Sequence, residues 1–192
     1  PDFYVDDVEG NTIDSKGNFI KLTGDFTGPG GLTFKGSPQT NEEGDHPEIQ
    51  LSGNVDYKGE TVVATSGGVA LVIKEKSATP KGNITLEKEA ILRLRADGIE
   101  LDKSLDVVLY EDTQIAIMGQ AVRIKSDVEL KEGQAVFWVH EDLRRGVKGG
   151  VEVDGNWTRP EINGVISGSG GLNKGGEGFL DLTGKNTYTG PT

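Results

Sequence analysis

Two segments of this chain bring carboxylates beside guanidinium groups. Asp97 and Asp102 follow Arg93 and Arg95, and Glu141 and Asp142 precede Arg144 and Arg145. Two carboxyls can hydrolyse a glycosidic bond when a cleft holds them roughly 5–10 Å apart. Sequence spacing does not set that distance. With 31 acidic residues in the chain, neighbouring acids arise by chance, so these groups are read as a solvated face. His46 and His140 are the only histidines and neither has an HxxxH partner; both are read as surface or loop residues rather than zinc ligands. There is no cysteine and no G-x-S-x-G nucleophile elbow. The segment GGEGFLD at 175–181 approaches a calcium nonapeptide but places Leu180 where the aspartate belongs. Glu42, Glu43, Asp45 and Glu48 form an acidic stretch without the EF-hand pattern. The expectation is therefore no catalytic residue, no cofactor and no metal site. Trp138 and Trp157 are speculative ligand contacts, able to stack on sugars if exposed. In Phe137-Trp138-Val139, inward flanking residues would turn the indole outward.

The elements that position these residues are strands. Leu92, Leu94 and Ala96 alternate with Arg93 and Arg95, and Ile99 and Leu101 with Glu100 and Asp102. Val122 and Ile124 alternate with Arg123 and Lys125, and Val128 and Leu130 with Glu129 and Lys131. This period of two marks one buried and one solvated face. Short strands at such spacing suit a sandwich, a barrel or a solenoid. Asp97-Gly98 and Asp154-Gly155 are the few clear hairpin signals. Their scarcity beside abundant glycine favours a parallel β-helix, whose strands need only brief bends between faces. Coils of ~20–25 residues would give about eight coils and a rod of roughly 40 Å.

Composition limits the partners. The net charge is −11 in 192 residues, and a phosphate-binding surface needs clustered Lys and Arg, so nucleic acid is not expected. Aromatic residues make up 6% of the chain, leaving burial to valine, isoleucine and leucine. No apolar stretch approaches the ~20 residues of a membrane-spanning helix. The first residue is Pro1 rather than Met, so a processed chain or an excised piece is expected.

One glycine-rich motif occurs twice. Gly24, Gly28, Gly30, Gly31, Leu32 and Gly36 fall on Gly164, Gly168, Gly170, Gly171, Leu172 and Gly176, at a constant offset of 140. Leu51, Gly53, Tyr57, Gly59 and Thr61 fall on Leu182, Gly184, Tyr188, Gly190 and Thr192, at an offset of 131. The copies span 22–61 and 162–192. The first carries nine extra residues, within SPQTNEEGDHPE, read as an acidic loop insertion at about 37–48. A second loop excursion is expected at 140–150, HEDLRRGVKGG. Everything else reads as a single segment over 1–192.

The second copy, GSGGLNKGGEGFLDLTGKNTYTGPT, resembles the autotransporter-associated β-strand repeat, also called the passenger-associated transport repeat. Its usual form is GSGGL-x-K-x-G, an apolar strand, then L-x-G-x-N-x-Y-x-G-x-T. Gly168, Gly170, Gly171, Leu172, Lys174, Gly176, Asn186, Tyr188, Gly190 and Thr192 are among the matching positions. The first copy departs from it, with Phe34 for the motif lysine and Val55 for the asparagine. The strong match covers about a sixth of the chain. The resemblance implies an all-β, right-handed parallel β-helix, a fragment of a longer rod, in the passenger of a Gram-negative autotransporter. It implies export through the outer membrane, secretion or display at the cell surface, and a structural role. That role is a stalk supporting secretion and presenting adhesive or effector regions.

The partners so implied are adjoining coils, an outer-membrane β-barrel of the same polypeptide, and host or bacterial surface glycans or proteins. In that setting Gly30, Gly31, Gly170, Gly171 and Gly190 would take positive φ or allow close backbone approach at a corner. Leu32 and Leu172 would enter the core. Tyr57 and Tyr188 would pack near a turn, with their hydroxyls reaching water or backbone. Asn186 would satisfy turn backbone groups. The alternatives are a carbohydrate-active or carbohydrate-binding β-helix, of polysaccharide lyase or glycosidase type, and an adhesive β-sandwich.

Overall fold

The computed structural model describes residues 2–7, 10–36, 48–66, 68–140 and 159–192, with the backbone of 147–148 and 151–152. The described residues are all-β, with one short 3-10 turn among them at Lys76–Ala78. Its alternating segments form strands because each buries one row of side chains. Leu92 and Leu94 are fully buried, as are Leu101, Ile124 and Val128.

Nearly all pairing is parallel. A first seven-stranded sheet runs from Thr12–Asp14 through Leu32–Gly36, Thr61–Thr65, Ile84–Leu86, Asp106–Leu109 and Asp127–Leu130 to Ile166–Gly168. A second seven-stranded sheet runs from Ile20–Leu22 through Glu48–Leu51, Ala70–Ile73, Ile91–Leu94, Gln114–Ile117 and Gln134–Val139 to Gly171–Gly175. The chain visits the first sheet, then the second, then a third position, and begins again. Early circuits fill the third position with Phe3–Tyr4, Phe26–Gly28 and Val55–Tyr57. Later circuits fill it with Glu100–Leu101, Arg123–Ile124, Glu161–Ile162 and Asp181–Leu182. The hairpin signal at Asp97-Gly98 thus marks no hairpin, and Asp154-Gly155 lies outside the described residues. Gly98 has φ +66 and turns a corner between two parallel elements.

Register gives the length of a circuit. Leu71 pairs with Leu92, Leu92 with Ile115 and Ile115 with Phe137, steps of 21, 23 and 22 residues. Two circuits are longer: Leu32 pairs with Thr61, a step of 29, and Val128 with Ile166, a step of 38. The extra residues fall mainly at 37–47 and 141–158, outside the described residues apart from the short antiparallel pair Val147–Lys148 with Val151–Glu152. These long circuits are why each long sheet has seven strands rather than the eight coils expected from length. At ~4.8 Å per strand the stack measures about 30 Å.

Parallel, in-register stacking puts like on like. Ile49, Leu71, Leu92, Ile115 and Phe137 form one fully buried column. Phe34, Val63, Leu86, Leu109 and Leu130 form another from the first sheet. Both columns belong to one continuous hydrophobic core. A side chain in such a column meets its own kind above and below, so methyl groups interdigitate with little need for large aromatic anchors.

Candidate functional site

The glycine motif builds the corners. Its two halves, Leu22 to Leu32 and Leu51 to Thr61, lie on successive circuits, stacked one on the other. A β-carbon on Gly53 would meet the Gly24 carbonyl oxygen at 1.9 Å, and one on Gly59 would meet the Gly31 nitrogen at 2.3 Å. The second copy repeats this, with Gly184 on Gly164 at 2.0 Å and Gly190 on Gly170 and Gly171 at 2.4 and 2.5 Å. The backbone bonds match as well. Lys58 N–H donates to Gly28 O and Thr189 N–H to Gly168 O, both at 3.0 Å. Leu32 N–H donates to Glu60 O and Leu172 N–H to Pro191 O, both at 2.8 Å.

The paired glycines serve close approach, one of the two roles expected. Positive φ belongs instead to Gly28, at +127, to Gly168, at +104, and, in the second copy alone, to Gly176, at +69. Leu32 and Leu172 enter the core. The copies differ in placement. The first joins the third position to the first sheet, from Phe26–Gly28 into Leu32–Gly36. The second joins the first sheet to the second, from Ile166–Gly168 into Gly171–Gly175. The motif is therefore a corner unit, set one side further round in its second copy.

Each motif tyrosine bonds to the side chain of the motif threonine four residues on, a partner that the sequence reading did not name. The Tyr57 and Thr61 hydroxyls are 2.6 Å apart and those of Tyr188 and Thr192 are 2.7 Å apart. Tyr57 and Thr61 are fully buried, whereas Tyr188 is half-buried. Burial pushes the Tyr57 phenol up to about 12, with the Thr61 hydrogen bond working against it. Tyr57→Phe is expected to cost about 1–2 kcal/mol, because it strands the Thr61 hydroxyl away from water. Tyr188→Phe is expected to cost clearly less. Chemical denaturation of both variants checks this, and equal losses would refute it. The pH dependence follows the same bond. An unfolded tyrosine ionises near 10 and folded Tyr57 near 12. Its contribution is complete below pH 10 and declines as pH rises through about 12. Tyr57→Phe removes that component.

Asn186 satisfies backbone, but on the preceding circuit: its Oδ1 accepts the Ile166 N–H at 3.0 Å. The same device recurs at Asp and Asn positions that the sequence reading did not single out for it. Asp2 accepts from Asp25 N–H and Asp25 from Asn54 N–H, each at 3.1 Å. Asn83 accepts from Asp106 N–H at 2.9 Å, and Asp127 from Val165 N–H at 2.8 Å. At a corner the strand ladder stops, and a short Asx side chain takes up an N–H left without a strand partner. Asp2 and Asp25 stand 23 residues apart, about one circuit, and that spacing is the signal that could have found these two. Lys174, the motif lysine, donates to the Gly175 and Gly176 carbonyls at 2.8 and 2.9 Å, and burial lowers its pKa.

The suspected acid pair does not converge. Asp97 and Asp102 lie on either side of the strand Glu100–Leu101. Asp97 accepts the Gln120 N–H at 2.7 Å. Asp102 accepts the Ser104 N–H at 2.9 Å and its hydroxyl at 2.8 Å, and these bonds, the backbone one first, hold its carboxyl below the usual range. Arg93 and Arg95 turn instead to Glu48, at the head of Glu48–Leu51. Arg93 Nη1 donates to Glu48 Oε1, Arg95 Nη2 donates to the same oxygen at 2.9 Å, and Gln50 Nε2 donates to Oε2 at 2.8 Å. Glu48, grouped in the sequence with the acidic loop, is thus the buried centre of a charge cluster on the outer side of the second sheet.

Trp138 lies on that same outer side, half-exposed between buried Phe137 and Val139. Its row runs through Gln50, Val72, Arg93 and Ala116 to Gly175. The ring of His140 stands edge-on to the indole, with centroids 5.6 Å apart. Trp157, His46, Glu42, Glu43, Asp45, Glu141, Asp142, Arg144 and Arg145 lie outside the described residues. Among the described residues no group of three or more His, Cys, Asp or Glu is arranged to hold a metal ion. Compared with known proteins, the chain matches no family model, no curated protein and no solved structure.

Proposed function

We propose that this chain is a right-handed parallel β-helix that acts as a rigid stalk segment in the passenger of a bacterial autotransporter, supporting its own export and holding adhesive or effector regions away from the cell. The observation that carries this reading is the stacking of each motif on itself. Among the residues that carry the resemblance, Gly170 and Gly171 touch Gly190 backbone to backbone across successive circuits. A motif whose function is stacking belongs to a structural element that grows circuit by circuit. Stepwise closure of such circuits outside the membrane would oppose backsliding of an exporting chain.

The test uses the full-length gene product in a Gram-negative host, with an epitope tag placed at Gly98, where added side-chain atoms meet open space. The expected result is a tag reached by protease added to intact cells, with display depending on a C-terminal β-barrel region of the same polypeptide. A tag protected until the cells are lysed would sink the proposal.

A further inference from the structure

The third side of the stack is broken partway along. Val55–Tyr57 is the last strand of one sheet there, and Glu100–Leu101 is the first of another. The passage between them, from Lys74 to Asn83, holds the 3-10 turn Lys76–Ala78 in place of a strand. Its ends are anchored. Lys74 N–H donates to Leu51 O at 2.9 Å, and the Asn83 carbonyl accepts the Thr61 N–H at 2.8 Å. The Asn83 side chain accepts the Asp106 N–H at 2.9 Å, and Gly82 lies close against Gly59. Between these anchors, residues 75–81 make two backbone–backbone hydrogen bonds, Ala78 N–H to Glu75 O at 3.0 Å and Thr79 N–H to Lys76 O at 3.2 Å. Both stay inside the segment. Among the described residues, no backbone–backbone bond joins 75–81 to the circuit on either side. Other passages on this side are laced to a neighbour: Lys58 N–H donates to Gly28 O at 3.0 Å, and Arg123 N–H to Ile99 O at 2.9 Å. The outward side-chain link from 75–81 is a long one, Ser77 Oγ to Gly53 O at 3.5 Å. Glu75, Lys76 and Lys81 are exposed and form no ion pair among the described residues. Ala78, Thr79 and Pro80 are nevertheless buried, and Ala78 belongs to the continuous core.

We infer that residues 75–81 form a plug that swings out and back while the first and second sheets stay paired, so that one side of the stack opens at a single circuit. Three features support this. First, opening breaks no bond of a strand ladder. Its free energy is set mainly by the burial of Ala78, Thr79 and Pro80, which are small side chains, so the plug belongs to the low-stability end of the molecule. Second, the segment has no strand state to compete with the plug. Pro80 has no N–H to give to a ladder. Third, the circuits remain tied at both ends of the passage when the plug is out. Arg95 N–H holds Ile73 O at 3.0 Å, the Asn83 side chain holds Asp106, and both seven-stranded sheets run unbroken past the passage. The open state leaves a gap one strand wide between two parallel edges. Plugged or open, no backbone–backbone bond among the described residues spans that gap, so the stack has a joint on this side. This inference does not depend on how the chain is exported or displayed.

Thiol labelling tests it, because the chain has no cysteine of its own. Ala78→Cys places a thiol in the plug. Ala135→Cys places one in the second sheet, at a position that is also buried. The thiol at position 78 is expected to label at least about tenfold faster than the one at 135. Its rate should stay flat in dilute urea, while labelling at 135 rises with urea in step with global unfolding. Equal rates, or the same urea dependence at both positions, overturns the plug. If Ala78→Cys disturbs folding, hydrogen exchange of the unsubstituted chain decides. Corrected for intrinsic rates, the Thr79 N–H should exchange at least about tenfold faster than the Arg123 N–H, which is bonded into the ladder on the same side. Equal protection of the two amides overturns the inference.

Discussion

Gly59→Ala is expected to lower the unfolding free energy by about 3 kcal/mol, at the top of the range for overpacking. The added methyl would meet the Gly31 nitrogen at 2.3 Å and the Gly30 carbonyl carbon at 2.4 Å. Both are backbone atoms, so no side chain can swing aside. Gly82 stacks on the other side of Gly59, where its own β-carbon would meet the Gly59 carbonyl oxygen at 2.0 Å. Relaxing the strain means lifting one circuit from the next, which also lengthens the hydrogen bond from Gly59 N–H to Gly30 O, now 3.1 Å. Gly98→Ala is the matched control. Its φ is +66 but nothing lies within 4 Å of the added carbon, so only the left-handed backbone penalty of about 1 kcal/mol applies. Denaturant midpoints of the two variants separate these causes. Equal losses would mean that the close approach at Gly59 contributes nothing beyond backbone strain.

The second large effect is expected at Glu48. Its side chain is 10% exposed, against 19% for Arg93 and 31% for Arg95. Removing one member of a buried pair costs about 3–5 kcal/mol, chiefly because a charge is left behind without its partner. Here two guanidinium groups are left behind, but both retain some water. Glu48→Ala is therefore expected to cost about 2 kcal/mol, short of that range. The cluster is not fully satisfied even now, since Arg95 Nε is buried without a hydrogen-bond partner. Removing Arg93 in the Glu48→Ala background should recover part of the loss, because one of the stranded charges goes with it. A loss below about 0.5 kcal/mol for Glu48→Ala, the scale of exposed pairs, would show that the cluster behaves as an ordinary surface salt bridge.

The strands from Leu92 to Leu130 were legible because their outward faces are charged and their inward faces apolar, so alternation is visible residue by residue. The corners were legible because glycine is the only residue that lets one backbone lie on the next. Other features depend on which circuits are neighbours. Glu48 and Arg93 are 45 residues apart, and they meet only because two successive circuits, of 22 and 21 residues, bring their strands to neighbouring places in the second sheet. Asp97 and Asp102 read as a pair because five positions looks close, yet a strand separates them and each is occupied by a backbone N–H. Ala70, Val72 and Ala116 break the simple alternation, being buried in the outward row between core residues. Charge alone did not distinguish Asp25 and Asp127, which bridge circuits, from other acids, and it gave no sign of the neutral Asn83.

The change of side between the two motif copies has a consequence for how such a stack of strands can vary. Local stacking needs only a matching corner below, whichever sides that corner joins. Azimuth is thus a free phase of the fold. A motif that closes on itself could sit on any side without loss of its own glycine contacts, while the loops that follow it point in a new direction around the stack. A lineage of such chains can steer its appendages around the shaft, as a spiral stair turns its landings, without redesigning the steps.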